Sequence, residues 1–94
     1  MRKNPIKSLK SIKPGDLVRI HWLDASFYLN GEDVDRKDFD QGGVLLKTTG
    51  YLVERGPKSL LIVGEQNEDD IPQRDFNLLP LCLIQKIDII ERKR

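Results

Sequence analysis

The apolar residues of this chain fall in short runs separated by turn residues, and this spacing constrains the fold more than any other feature. The runs recur at intervals of about ten residues, as in sandwiches and barrels built from short strands. No stretch shows the three-to-four-residue periodicity of a long amphipathic helix. The longest apolar run, residues 78–84, is itself interrupted by Pro80. We therefore predict an all-β domain.

The first predicted strand shows the alternation most clearly. Val18, Ile20 and Trp22 fall on one face, whereas Arg19 and His21 fall on the other. Such alternation is typical of a strand with one buried face and one solvated face. We therefore expect Val18, Ile20 and Trp22 to face the core and His21 to face outward.

Four further strands are predicted between turn signals. They cover residues 44–55, residues 59–65, a segment around residues 75–79, and residues 84–90. A hairpin turn is expected at residues 55–58, and one helical turn at residues 81–83 after Pro80. Gly50 lies inside the second strand, where a glycine usually marks a bulge or a sharp bend.

Five short strands, a long first loop and a turn before the last strand predict a small five-stranded SH3-like barrel. The loop spans residues 24–43, a length typical of functional or mobile loops, and we expect a helical turn near residues 34–39. With 94 residues, the chain has room for one domain. We assign residues 1–13 to a basic flexible tail, residues 14–91 to the barrel and residues 92–94 to a basic C-terminal end.

Three short motifs are spread along most of the chain. They are WLDA at residues 22–25, TTGYLV at residues 48–53, and a Leu79-Pro80 step before the last strand. They resemble the Trp-x-Asp-Ala, Thr-x-Gly-aromatic-Leu and Ile-Pro pattern of a family of short uncharacterised proteins. That family is found in phages and in prokaryotic genomes that carry mobile elements, and the match covers residues 18–90. The leucine in place of isoleucine and the basic N-terminal tail depart from the pattern. The resemblance implies a small β-barrel and no known chemistry.

The charged residues are distributed unevenly. Sixteen lysines and arginines against fifteen acids give a net charge of +1, so the whole chain has no strong attraction to nucleic acid or to an anionic membrane. Both ends are nevertheless basic, and residues 31–40 and 65–70 are acidic. A single cysteine is typical of a reducing compartment, and no run approaches the roughly 20 apolar residues that span a bilayer. We expect a soluble cytoplasmic protein without a secretory signal.

No combination of residues indicates a reaction. A loop starting at Asp33 fails the EF-hand spacing, because Lys37 and Asp38 stand where an oxygen ligand and a glycine are needed. A weak cation site in the acidic loops is the alternative to a solvated loop, which we favour. One histidine and one cysteine cannot supply four zinc ligands. Cys82 lies in an apolar turn and is expected to be a buried, unreactive thiol. We predict a protein that is not an enzyme and uses neither a cofactor nor a metal.

Trp22 has two interpretations, a core anchor or a platform on which a ligand stacks. Its position on the same strand face as Val18 and Ile20 favours the core. The indole N–H of a buried tryptophan needs an acceptor. We expect this acceptor to be Asp24 or a nearby backbone carbonyl.

Protein–protein interaction is the leading prediction for function. SH3-like barrels bind peptides in a groove beside the long first loop, where acids pair with basic residues of the partner. The candidate residues are Phe27, Tyr28, Glu32, Asp33, Asp35, Asp38 and Tyr51. The partner would be a basic protein, or a second copy whose basic ends meet the acidic loops. The alternative for this loop is that it binds nothing and only connects two strands.

Nucleic-acid binding is the second prediction, because small barrels bind single strands through exposed aromatics in a basic groove. The basic candidates are Arg2, Lys3, Lys7, Lys10, Lys13, Arg92, Lys93 and Arg94. The aromatic candidates are Phe27, Tyr28 and Tyr51. Acids flank the first two aromatics and would repel a phosphate backbone, which weighs against this function. We expect neither a membrane nor a small-molecule substrate as a partner.

Overall fold

A computed structural model describes residues 7–24 and 36–94, with the side chains of all of these except residues 7, 8 and 38. Five antiparallel strands form one sheet: β1 (Leu17–Asp24), β2 (Val44–Arg55), β3 (Ser59–Gln66), β4 (Pro72–Pro80) and β5 (Ile84–Glu91). Their order across the sheet is β4-β3-β2-β1-β5. Helical structure in the described residues consists of α1 (Arg36–Gln41) and two 3₁₀ turns, Lys7–Lys10 and Leu81–Leu83.

The predicted all-β class with five strands is confirmed. β2 has the predicted bounds, whereas β1 continues to Asp24 and β4 begins already at Pro72. The turn at Leu81–Leu83 lies where it is expected. Residues 36–39 of the predicted helical turn fall within α1, and residues 34 and 35 lie outside the described residues. Within the described residues the sheet is open, because β4 and β5 each pair with a single neighbour. The class and strand number are therefore confirmed, and closure into a barrel is not observed in this part of the chain.

The core lies on one face of the sheet, as the alternation in β1 predicts. Val18 and Ile20 are fully buried, and Ile20 lies opposite Ile87 of β5. Toward the β4 edge, Leu60 of β3 lies opposite Leu79 of β4. The other buried members of this core are Leu9, Ile12, Leu52, Ile62 and Ile84. Removing each such side chain from water contributes about 1.5–3 kcal/mol to folding.

Leu9 and Ile12 bring the segment before β1 into this core. They are only 6% and 7% exposed, and the Leu9 carbonyl accepts a hydrogen bond from Arg55 Nη1 at 3.2 Å. The sequence predicts a tail for residues 1–13, but its last part carries packed apolar side chains. Leu9 lies in the 3₁₀ turn Lys7–Lys10 and Ile12 lies two residues beyond it, and their apolar side chains within a basic segment are the signal that could have revealed them.

Gly50 is required by a close approach between strands. A Cβ atom at this position would lie 2.7 Å from the carbonyl oxygen of Val63, so no larger residue fits without movement of the backbone. The irregularity in the β2–β3 pairing lies instead between Leu52 and Glu54. The bulge predicted at Gly50 is therefore displaced along β2.

Candidate interaction surfaces

Most of the residues predicted to bind a protein lie outside the described residues. These are Phe27, Tyr28, Glu32, Asp33 and Asp35. Asp38 lies on α1, and its side chain is outside the described set. Tyr51 is the exception: it lies on β2, is half-buried, and stands opposite Leu17 of β1 and Val63 of β3. The groove predicted beside the first loop therefore stays a prediction.

More of the basic residues at the two ends of the chain fall within the described residues. Arg2 and Lys3 lie outside the described residues, and Lys7 is described only as part of a 3₁₀ turn. The remaining five are exposed: Lys10, Lys13, Arg92, Lys93 and Arg94. The structure brings the N-terminal and C-terminal members together around Asp16. We call Asp16 together with Ser11, Lys13, Arg92 and Lys93 the terminal junction.

Asp16 holds the terminal junction together. Its carboxylate is 1% exposed, and each of its oxygens accepts a hydrogen bond from a different end of the chain. Oδ2 accepts the backbone N–H of Lys13 at 2.9 Å, and Oδ1 accepts that of Lys93 at 2.9 Å. Arg92 Nη1 lies 3.3 Å from Oδ2 and also donates to the carbonyl of Ser11. A buried charge with this many donors is satisfied, so Asp16 stabilises the meeting of the two ends.

The same contacts set the ionisation of Asp16. Burial alone would raise its pKa, because a carboxylate loses water contacts. The backbone N–H groups of Lys93 and Lys13, together with the charge and hydrogen bond of Arg92, outweigh this effect and lower the pKa below its ordinary value of 3.8. Asp16 is therefore a permanent anion at neutral pH. It offsets part of the positive charge that the two ends bring to this surface.

An open cleft of about 260 Å³ adjoins the terminal junction. Tyr51 lines it together with three basic residues of the C-terminal end, Arg92, Lys93 and Arg94. Two acids, Asp70 and Glu91, also line it. The structure thus places one predicted aromatic beside the predicted bases, although the charge of the cleft is mixed.

The outer face of the sheet carries large exposed apolar residues near its β4 edge. Phe76 is 53% exposed and Leu78 is 67% exposed. They lie opposite Val63 and Leu61 of β3, on the face away from the core cluster; Val63 is nevertheless fully buried on this face. We call Leu61, Phe76 and Leu78 the β4 outer patch. Sequence reasoning missed it because Leu78 and Leu79 are adjacent apolar residues, so the pattern does not show which face of β4 is buried.

A shallow pocket of about 220 Å³ lies at one end of the β4 outer patch. Leu61 and Leu78 line it together with Glu54, Gly56 and Ser59. Glu54 lies opposite Leu61 across β2 and β3. Its side chain is exposed, and no described cation pairs with it. The pocket therefore combines an apolar floor with one unpaired carboxylate.

Trp22 is packed as the core interpretation predicts. It is partly buried and lies against the core cluster. Its indole N–H donates to Thr48 Oγ1 at 2.8 Å. The predicted acceptor, Asp24 or a backbone carbonyl, is therefore wrong; the cross-strand hydroxyl on β2 takes that role. With its polar group bonded and one side against the core, Trp22 has a structural role.

His21 lies on the outer face, as predicted, and its Nε2 is 2.8 Å from Asp88 Oδ2 of β5. This hydrogen bond lowers the pKa of Asp88, with smaller help from the charges of Lys86, His21 and Arg19, against an opposing effect of burial. Cys82 is exposed, so the predicted burial of its thiol is wrong. The 3₁₀ turn at Leu81–Leu83 turns this side chain outward while its neighbours stay half-buried.

Comparison with protein-family models, curated proteins and solved structures finds no match for this chain. In the part of the chain that the structure describes, no helix is long and apolar enough to cross a membrane. Among the same residues, no three His, Cys, Asp or Glu side chains are grouped so that they would hold a metal ion. A function must therefore be inferred from the geometry of the surfaces.

Proposed function

We propose that this protein is a non-catalytic binding module whose partner is another protein. The observation that carries the proposal is the β4 outer patch. Large apolar side chains are usually buried, and a cluster of them on the surface marks a contact site. Phe76 belongs to the aromatic residues that are enriched in protein interfaces, and Leu78 adds apolar area that a partner can bury.

The position of the patch supports a protein partner further. β4 is an edge of the sheet and pairs only with β3. The unpaired backbone N–H and C=O groups of an edge strand accept an additional strand. A protein offers both a strand and apolar side chains, whereas a nucleic acid offers neither.

The acidic first loop remains part of this proposal. Its acids would favour a basic partner, and the cytoplasm would be the compartment in which they meet. The resemblance to the phage-associated family agrees with a small binding module but specifies no partner.

The proposal can be tested by panning a displayed library of random peptides against the immobilised full chain. We expect enrichment of peptides that no longer bind a Phe76→Lys/Leu78→Lys double variant. The matched control is Ile90→Lys, which places a charge at an exposed apolar position of the opposite edge strand. An absence of enriched peptides, or equal loss of binding in both variants, would contradict a protein-binding role for this surface.

Nucleic-acid binding is retained as a second candidate because of one observation. The bases from both ends of the chain converge at the terminal junction, and Tyr51 lines the adjoining cleft. Aromatic stacking beside basic side chains is how small barrels hold single strands. Asp70 and Glu91 in the same cleft, and the pairing of Arg92 with Asp16, reduce the charge available to phosphate.

Fluorescence anisotropy of labelled single-stranded and duplex oligonucleotides tests this second candidate. Binding should weaken steeply with salt, and a Lys10→Gln/Lys13→Gln variant should lower the salt slope by about two phosphate contacts. Glu91→Gln removes an acid from the cleft and should therefore raise the affinity for the oligonucleotides. Unchanged anisotropy at low salt would remove nucleic acid as a candidate.

A further inference from the structure

We propose that the outer face of β1, β2 and β5 binds single-stranded nucleic acid, with phosphates at Arg19 and Lys47 and a base stacked on Tyr51. This inference goes beyond protein binding at the β4 outer patch and does not depend on it. It rests on the second candidate function, nucleic-acid binding, and gives that function a site on the sheet in addition to the terminal junction.

The register of the three strands brings basic side chains together on the outer face. His21 of β1 lies opposite Lys47 of β2 and opposite Lys86 of β5. Residues directly opposite in antiparallel strands point to the same side of the sheet, so these three side chains form one row across it. We call them the basic row. Neighbours in the row are one strand spacing apart, which is about 4.8 Å.

Arg19 adds a further charge beside the basic row. It lies two residues before His21 on β1, and therefore on the same face. On β2 it lies opposite Thr49. Lys47 and Tyr51 are each two residues from Thr49, so they are the diagonal neighbours of Arg19, at about 7–8 Å. Arginine, lysine and aromatic side chains reach one another over this distance. A ligand that covers Arg19 therefore also meets Lys47 and Tyr51.

The positive charge of this face is available to an anion. Arg19 and Lys47 are exposed, and neither forms an ion pair with a described acid. Asp88 lies opposite Arg19 on β5, but its carboxylate is already engaged. One oxygen lies 2.8 Å from His21 Nε2, and the other lies 3.7 Å from Lys86 Nζ. Charge complementarity therefore favours an anionic ligand, held mainly by the two unpaired cations.

Tyr51 favours nucleic acid over an acidic protein segment as this ligand. It is half-buried and lies on the same face of β2 as Lys47. It also lines the cleft that contains Arg92 and Arg94. Proteins that bind single strands stack bases on aromatic side chains and hold the phosphates with basic ones. An acidic peptide supplies the charge but no flat base for each charge.

The stacking also favours a single strand over a duplex. The bases of a duplex are paired and stacked on one another, whereas those of a single strand are free to stack on a protein side chain. A base on Tyr51 places the adjoining phosphates between Arg19 on the sheet and the basic cleft on the other side of the ring. The terminal junction and the outer face would then hold successive parts of one strand.

The first experiment measures fluorescence anisotropy of a labelled oligothymidylate with the full chain at several salt concentrations. An oligonucleotide of about 15 nucleotides covers the site of a small barrel. Each phosphate contact of a single strand adds about 0.7 to the salt slope, so Arg19→Gln and Lys47→Gln should each lower it by about this amount. The matched control is Lys58→Gln, which removes an exposed lysine at the other end of β2 and should leave the slope unchanged.

The second experiment tests stacking with a pair of variants at one position. Tyr51→Leu keeps an apolar side chain but removes the ring, and should weaken binding of the oligothymidylate by about tenfold. Tyr51→Phe keeps the ring and should bind nearly as tightly as the wild-type chain. Binding of a duplex should respond to neither. Thermal unfolding followed by circular dichroism shows that each variant is folded.

An equal change of the salt slope in Lys47→Gln and Lys58→Gln would overturn the proposal, because it would mean general attraction to basic side chains. So would equal affinities of Tyr51→Leu and Tyr51→Phe. Polyglutamate that binds as tightly as the oligothymidylate would overturn it as well and would assign the face to an acidic protein. If Lys10→Gln/Lys13→Gln lowers the slope while Arg19→Gln and Lys47→Gln do not, this inference fails and the second candidate function survives. If the oligothymidylate does not bind at low salt, both fail.

Discussion

The terminal junction buries a charged side chain, whereas the β4 outer patch exposes large apolar side chains. At the junction a carboxylate is buried, and both of its oxygens accept hydrogen bonds from within the chain. At the patch, Phe76 and Leu78 are large, apolar and exposed. The first arrangement satisfies a group whose burial would otherwise be costly. The second leaves apolar surface in contact with water, where only a partner can cover it. The comparison separates what holds the fold from what is left for binding.

The largest effect is expected from Asp16→Ala. The change leaves the part-buried backbone N–H groups of Lys13 and Lys93 without this acceptor and releases Arg92. An unsatisfied buried donor costs about 1–3 kcal/mol, so we expect a loss of about 3 kcal/mol in the free energy of unfolding. Urea denaturation followed by circular dichroism measures it. Glu68→Ala, at an exposed acid, is the control and should change stability little. A stable Asp16→Ala protein would mean that the junction does not hold the ends of the chain.

Trp22→Ala sharpens the comparison between a packed aromatic and an exposed one. Fully buried tryptophans cost about 3–5 kcal/mol when truncated to alanine. Trp22 is only partly buried, so we expect about 2 kcal/mol, with the Thr48 hydroxyl losing its donor. Thr48→Val removes the hydrogen bond alone and should cost less. If Trp22→Ala unfolds at the wild-type urea concentration, the aromatic is not part of the core.

The strands were predictable because their residues alternate locally. In β1, burial of Val18 and Ile20 follows directly from their spacing, and neighbours along the chain decide it. The role of Asp16 was not predictable in this way, because its partners at Lys13 and Lys93 come from opposite ends of the chain. From the sequence alone, Asp16 beside Gly15 is interpreted as a turn residue. It becomes a buried anion because the start of β1 lies next to the end of β5, where Lys93 donates to it.

The β4 outer patch shows a second limit. Leu78 and Leu79 are adjacent and chemically identical, yet one is 67% and the other 3% exposed. Their faces are fixed by the register with β3, where Leu79 lies opposite the buried Leu60. Composition cannot choose between them. Cys82 was misplaced for a similar reason, since an apolar neighbourhood in sequence does not fix which way a short turn points.

Acid should weaken the junction before it affects the patch. The pKa of Asp16 is lower in the folded protein than its ordinary value of 3.8, so the unfolded state binds more protons in this range. The stability that Asp16 contributes is present above pH 3.8 and is lost as the pH falls below it toward the folded pKa. Asp88, whose pKa is lowered by its bond to His21, acts with the same sign. The free energy of unfolding should therefore decrease between about pH 5 and pH 2.

Urea midpoints across this range test the acid dependence. Asp16→Asn should flatten it, because the asparagine does not titrate, whereas Asp69→Asn in the exposed β3–β4 turn should leave the slope as it is. A slope that is the same in both variants would place the acid sensitivity elsewhere in the chain.

The smallest effect on stability is expected from polar substitutions in the β4 outer patch. Phe76→Thr and Leu78→Thr introduce a β-branched residue that suits a strand and remove mainly exposed apolar surface. Surface changes of this kind usually stay within about 0.5 kcal/mol, so the urea midpoint should hardly move. Binding of the library peptides that the wild-type chain enriches, by contrast, should be lost, because the apolar surface that they cover is gone. A loss of stability as large as that of Trp22→Ala would show that the patch belongs to the core. Phe76 and Leu78 would then stabilise the fold and would not be available to bind a partner.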